Sequence, residues 1–167
     1  MTREELAELC AYLEATPGLL EGLAAGLSED ALRRRPAGGG FSFVEQAWHL
    51  HDVEVEGYAA RIARILESDA PELADFDGLR IAAERDYNAR DFAEAAAGFR
   101  AARRATVRAV EGLAEHQLGR TGVFAPSRVV TLGEVLEAMR AHDAEHRAEL
   151  RTLRAALVGA AASPPRQ

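Results

Sequence analysis

The stretch TLGEVLEAMRAHDAEHRAELRTLRAAL, residues 131–157, decides how the rest of the chain is read. Leu132, Val135, Leu136 and Met139 open an apolar stripe in steps of one face, and Leu150, Leu153 and Leu157 close it. Steps of three and four belong to an α-helix. Between the two halves, the positions that continue the stripe hold His142 and His146. Imidazoles four residues apart project from the same helix face. That spacing lets two ring nitrogens reach one metal ion, as in sites built inside helical bundles. A pair of hydrogen-bonded core histidines, or a face at the water boundary, would leave the same pattern. The metal reading therefore needs a third ligand from another element.

Thr131 and Glu134 head this stretch as a capping box, in which the hydroxyl and the carboxylate satisfy each other's orphan amides. The same signature recurs at Thr2 with Glu5, Ser42 with Glu45, and Asp91 with Glu94. Four starts predict four main helices, over about 3–26, 43–67, 92–115 and 132–158. In the first, the stripe Leu6, Leu9, Cys10, Leu13, Leu20, Leu23, Ala24 and Leu27 keeps its phase across Pro17. That predicts one kinked helix, with Thr16 capping its second half. Pro36-Ala37-Gly38-Gly39-Gly40 breaks the chain after it. Pro71, Asp75, Asp77 and Gly78 mark a second connection, with a short helix near 79–86; Gly119, Gly122 and Pro126 mark a third. No segment sustains a period-two run. The chain is rich in alanine, and all 20 of its basic residues are Arg, both good helix formers. The expected fold class is all-α: a four-helix bundle with long inter-helix loops, one domain over residues 1–158, and a flexible tail over 159–167. Long loops often rim a site.

Composition narrows the function. The 167 residues carry a formal net charge of −7, whereas a protein that tracks phosphates collects a basic face. No apolar run approaches the roughly 20 residues that span a bilayer, and Met1-Thr2-Arg3-Glu4-Glu5 is too acidic for a secretory leader. Cys10 stands alone, which excludes an internal disulfide and a cysteine-based zinc site. The expectation is a cytoplasmic protein with a small-molecule substrate, binding neither nucleic acid nor membrane.

The second helix offers Trp48-His49-Leu50-His51-Asp52 as a source of the third ligand. At 100° per residue its stripe is Val44, Ala47, Trp48, Val55, Tyr58, Ile62 and Ile65, and His51 falls within it. His49 falls on a polar flank with Glu45, Asp52 and Glu56, which is either a solvated face or the wall of a polar cavity. On the third helix, Arg103 lies inside the stripe of Phe92, Ala95, Ala96, Phe99, Ala102, Thr106, Val110 and Leu113. A guanidinium there needs a partner. It would either bind a substrate carboxylate or phosphate or form a structural ion pair with Asp52 or Glu56. Arg33, Arg34 and Arg35 read as a solvated helix end, and so does His116.

The chain resembles the DinB-like superfamily of YfiT-type metal-dependent proteins. His49-Leu50-His51-Asp52-Val53-Glu54 and His142-Asp143-Ala144-Glu145-His146 carry the resemblance, supported by Phe99-Arg100-Ala101-Ala102-Arg103 and by the stretch from Gly122 to Thr131. It spans about Leu13 to Leu153, and the order of the two histidine motifs is its most specific feature. The resemblance implies a four-helix bundle with a three-histidine divalent metal site near one end. The histidine directly before Leu-x-Asp matches the first family ligand, so the implied set is His49, His142 and His146, with His51 as the alternative. Zinc or nickel suits such ligands, with manganese or iron next. Asp143 and Glu145 flank the pair, either orienting an imidazole or as surface charge. The implied chemistries are amide or ester hydrolysis and transfer involving a low-molecular-weight thiol. A homodimer is implied because relatives often pair through helices.

Overall fold

The computed structural model describes residues 1–162, with side chains through Gly159. Helix α1 (Arg3–Ala24) starts at the Thr2–Glu5 capping box and is followed by the short α2 (Glu29–Leu32). Helix α3 (Phe43–Asp52) runs without a break through a π-helical segment (Val53–Ala59) into α4 (Ala60–Glu67). After strand β1 (Glu72–Leu73) come α5 (Gly78–Glu84), a 3₁₀ turn (Tyr87–Ala89), α6 (Phe92–Val110) and α7 (Glu115–Leu118). Strands β2 (Thr121–Phe124) and β3 (Arg128–Thr131) lead into α8 (Leu132–Ala162). The four long rods are therefore α1, α3–α4, α6 and α8. Helix α1 packs on α6 and α8, and α3 on α6.

Three of the four expected capping boxes close in both directions, at Thr2–Glu5, Ser42–Glu45 and Thr131–Glu134. At Asp91 only the forward half forms, from the Glu94 amide to the Asp91 carboxylate. The all-α expectation omits a small sheet of order β1-β2-β3, with β1 parallel and β3 antiparallel to β2. Its strands hold only two to four residues, too short for a period-two signal. The tail expected from 159 is still helix through Ala162, and residues 163–167 lie outside the described residues.

Helix α1 runs unbroken through Pro17, and its cost is local. Proline has no N–H for the carbonyl four residues back, and that carbonyl, Leu13 O, instead accepts from Arg103 Nη1 at 2.8 Å. Thr16 does not recap the helix as expected. Its hydroxyl donates to Asp143 and accepts from Arg147.

The π-helical segment changes which side chains of the second rod face inward. Bonding from i to i+5 fits more residues into each turn than an α-helix holds, so a wheel of 100° per residue drifts across it. Val55, assigned to the stripe, is 42% exposed, while Glu54 is 0% exposed.

The apolar core falls into two parts. One holds Leu6 to Leu13 of α1 with Leu132 to Met139 of α8; the other holds Leu20 and Ala24 with Leu150 to Leu157. Between them every rod places polar side chains: Thr16 on α1, His49 to Glu54 on the second rod, Arg103 and Thr106 on α6, and His142 to Arg147 on α8. The candidate site lies in this polar belt.

Candidate metal centre

His49 comes from α3, and His142 and His146 come from successive turns of α8. Their ring nitrogens converge. Nε2 of His142 lies 3.1 Å from Nε2 of His49 and 3.0 Å from Nε2 of His146. One ligand atom from each ring lies within 4.8 Å of the other two. Burial disfavours the imidazolium form. It pushes His49 down to about 4 and His142 to about 3, helped by the neighbouring rings, and it lowers His146 as well. At neutral pH the three rings are thus neutral, each with one proton and one lone pair.

Those protons cannot satisfy the cluster. The single in-plane lone pair of His142 Nε2 serves one donor well, yet two neighbouring nitrogens approach it. For His146 the tautomer is set from outside. Its Nδ1 lies 2.6 Å from Gln46 Oε1, and Gln46 Nε2 donates to Glu149 Oε2 at 2.7 Å. Glu149 Oε2 is itself 3.1 Å from that Nδ1. An Nδ1–H donor leaves the Nε2 lone pair facing the other two histidines. Imidazole Nε2 donors about 3 Å apart suit one cation bound at the usual metal–nitrogen distance of about 2.0–2.1 Å. The residues present fit a divalent ion.

Aromatic rings wall the cluster. Phe41 and Phe76 lie 5.5 and 6.1 Å from the His49 ring, and Tyr58 lies 5.8 Å from His142. Gly78, the first residue of α5, packs directly on His49: a Cβ there would sit 2.4 Å from Cε1 and 2.8 Å from Nδ1. Among the described residues, Nδ1 of His49 and Nδ1 of His142 are buried without a hydrogen-bond partner. Beside His49 and His146 opens a cavity of about 1230 Å³.

The other singled-out residues lie apart from the three rings. His51, which the helical wheel turned inward, points the other way. Its ring edges onto Trp48 and lies against Gly98, and its Nδ1 is 2.7 Å from Asp52 Oδ1. Asp52 therefore supports His51 rather than a ring of the cluster. Burial opposes its charge, but hydrogen bonds from His51, Tyr87 and Arg85 outweigh that and hold its carboxyl at about 2. Glu56 binds Arg85 through both oxygens. Glu145 is exposed.

Arg103 is buried, as its place on the stripe requires, and its partners are neither Asp52 nor Glu56. Nε donates to Glu54 at 3.0 Å, and the two terminal nitrogens hold Asp143 at 2.5 and 2.9 Å. With Leu13 O also bound, no fork is free for a substrate anion. Asp143 is thus an internal counter-ion rather than an orienting group for an imidazole. Arg147, Gln46 and Glu149 escaped the sequence reading. Arg147 stacks over Tyr12 at 3.7 Å. Arg33 and Arg35, read as a solvated run, are partly tied down: Arg33 caps two carbonyls, of Asn88 and Arg90, and Arg35 grips Glu45.

A family model described as the DinB superfamily matches residues 12–150. The chain belongs to the DinB superfamily. Among solved structures, this DinB chain is similar to YfiT from Bacillus subtilis, described as a probable metal-dependent hydrolase with an unusual four-helix bundle topology. The TM-score is 0.84 at 19% identity, over 92% of this chain and 87% of that one. At that identity the likeness establishes the shared fold. No curated protein matches the sequence. Among the described residues of this DinB fold, no helix is long and apolar enough to cross a membrane.

Proposed function

We propose that this DinB protein is a metal-dependent hydrolase, with a divalent ion held by His49, His142 and His146. The observation that carries the reading is the approach of three neutral imidazole nitrogens that their own protons cannot satisfy. The description of YfiT as a probable metal-dependent hydrolase supports it. All-imidazole ligation suits zinc or nickel first, then manganese or iron. Such an ion, when bound with an open position, supplies a Lewis acid that polarises a carbonyl and acidifies water.

The protein's own groups do the rest. Gln46 holds His146 in the Nδ1–H form, and Glu149 holds Gln46 in turn. Glu149 also lines the adjoining cavity, with its Oε2 engaged by Gln46 and His146. Phe41 and Phe76 exclude water from one side of His49. Transfer to a low-molecular-weight thiol would draw on the same ion, but the cavity's one arginine, Arg35, is committed to Glu45. The test is turnover of a panel of aryl esters and amides by chelator-stripped and zinc-reloaded protein, with His142→Ala as control. Turnover that returns with zinc only in the wild type supports the reading. Equal turnover in all three samples, or none in any, contradicts it.

A further inference from the structure

The cavity beside the three histidines carries more information than its size. Part of its wall is apolar: Phe41, Phe76, Leu79, Ala82, Leu153 and Ala156. Leu79 stands on it 75% exposed. The charged groups of the wall, apart from the histidines, are four carboxylates, on Glu45, Asp77, Asp86 and Glu149, against one guanidinium, on Arg35.

Two of that arginine's three nitrogens are held by a carboxylate, and the same pair offsets its charge. Its Nε reaches both oxygens of Glu45, at 3.1 and 2.9 Å, and its Nη2 reaches one at 2.6 Å. The Glu45 side chain is only 5% exposed. Drawing Arg35 away would strand a buried carboxylate, at a cost that an exposed ligand contact does not recover. Asp86 has no hydrogen-bond partner for its carboxylate among the described residues and stands exposed. The lining side chains thus carry a formal excess of three negative charges with neutral imidazoles, although Asp77 also meets Arg80, outside the lining, at 3.8 Å. A divalent ion on the histidines would offset two of them and leave the sign unchanged.

We infer that this cavity takes molecules with an apolar body and a cationic or uncharged head, and selects against anionic ones, carboxylate-bearing thiols among them. The inference rests on the hydrolase reading for its chemistry, and it deepens that reading by naming the substrate class. Selection has two parts. The aromatic and aliphatic wall supplies affinity through burial, and the excess of carboxylates over guanidinium in the lining sorts heads by charge.

Three probes of equal body test it: phenylbutylammonium, phenylbutanol and phenylbutanoate. Each is titrated calorimetrically at low ionic strength into zinc-loaded and chelator-stripped wild type, and into the double variant Asp77→Asn, Asp86→Asn. Asparagine keeps the helix cap that Asp77 makes and tolerates the positive φ of 45° at Asp86, so the variant keeps the local backbone while removing two charges and the Asp77–Arg80 ion pair. The expected result is ammonium bound at least about ten-fold tighter than carboxylate, the alcohol between them, in both wild-type samples. The variant should lower that ratio to under about three-fold. Carboxylate equal to or tighter than ammonium, no binding of any probe, or an unchanged ratio in the variant overturns the inference. If wild type takes up no zinc yet keeps the cation preference, the metal reading falls and the cavity assignment stands.

Discussion

At the scale of single residues, Gln46 and Gly78 matter as much as the histidines they touch. His146 carries a fixed tautomer because Gln46 Oε1 sits 2.6 Å from its Nδ1. Partners of this kind typically contribute ten- to a hundred-fold in metal affinity. Gln46→Ala should therefore weaken zinc binding by about that factor, read by competition with a chromophoric chelator. An affinity equal to wild type would show that His146 needs no such support. Neither residue announces itself in the sequence. Gln46 looks like any polar residue near a helix start, and Gly78 like a turn glycine, because nothing local encodes the histidines they meet, 100 positions away for Gln46 and 29 for Gly78. His142 and His146 were legible because they interrupt a leucine stripe. His49 was legible only through resemblance to a family, since periodicity alone favoured His51.

At the scale of elements, the second rod departs from the wheel again just beyond His51, for a physical reason. Seven residues of the second rod, Val53–Ala59, are π-helical. A uniform wheel therefore misplaces Val55 and gives no sign of Glu54. The segment puts Glu54 where it meets Arg103, and Pro17 frees the carbonyl that Arg103 also takes. Two local departures from α-helix thus converge on one guanidinium, which ties α1, the second rod, α6 and α8 together through Asp143. Removing one partner of such a pair strands buried charge. Arg103→Ala should lower stability by about 3–5 kcal/mol, measured by denaturant unfolding. A change near zero would mean that the network is dispensable. The helix starts were readable from their capping boxes. The three-stranded sheet was not, because its pairings are set by contacts across the fold rather than by its two to four residues per strand.

At the scale of the whole molecule, the polar belt links folding to pH. In the metal-free protein, the folded state keeps His49 neutral down to about 4 and His142 down to about 3, against 6.5 for a free side chain. Between those values the unfolded chain binds more protons than the folded one, so stability falls as the pH drops. Above 6.5 these two groups add no pH dependence. Apo protein should accordingly show a falling melting temperature from about pH 6.5 toward pH 4, and His142→Gln should flatten part of that slope. A slope identical in the variant would show that His142 is not the group responsible.

If imidazoles from two rods hold one cation, anomalous diffraction from a zinc-replete crystal will locate it. The expected result is a single strong peak with Nε2 of His49, His142 and His146 each at about 2.0–2.1 Å. A peak coordinated by other residues, or none at these rings in a crystal grown with excess zinc, would contradict it.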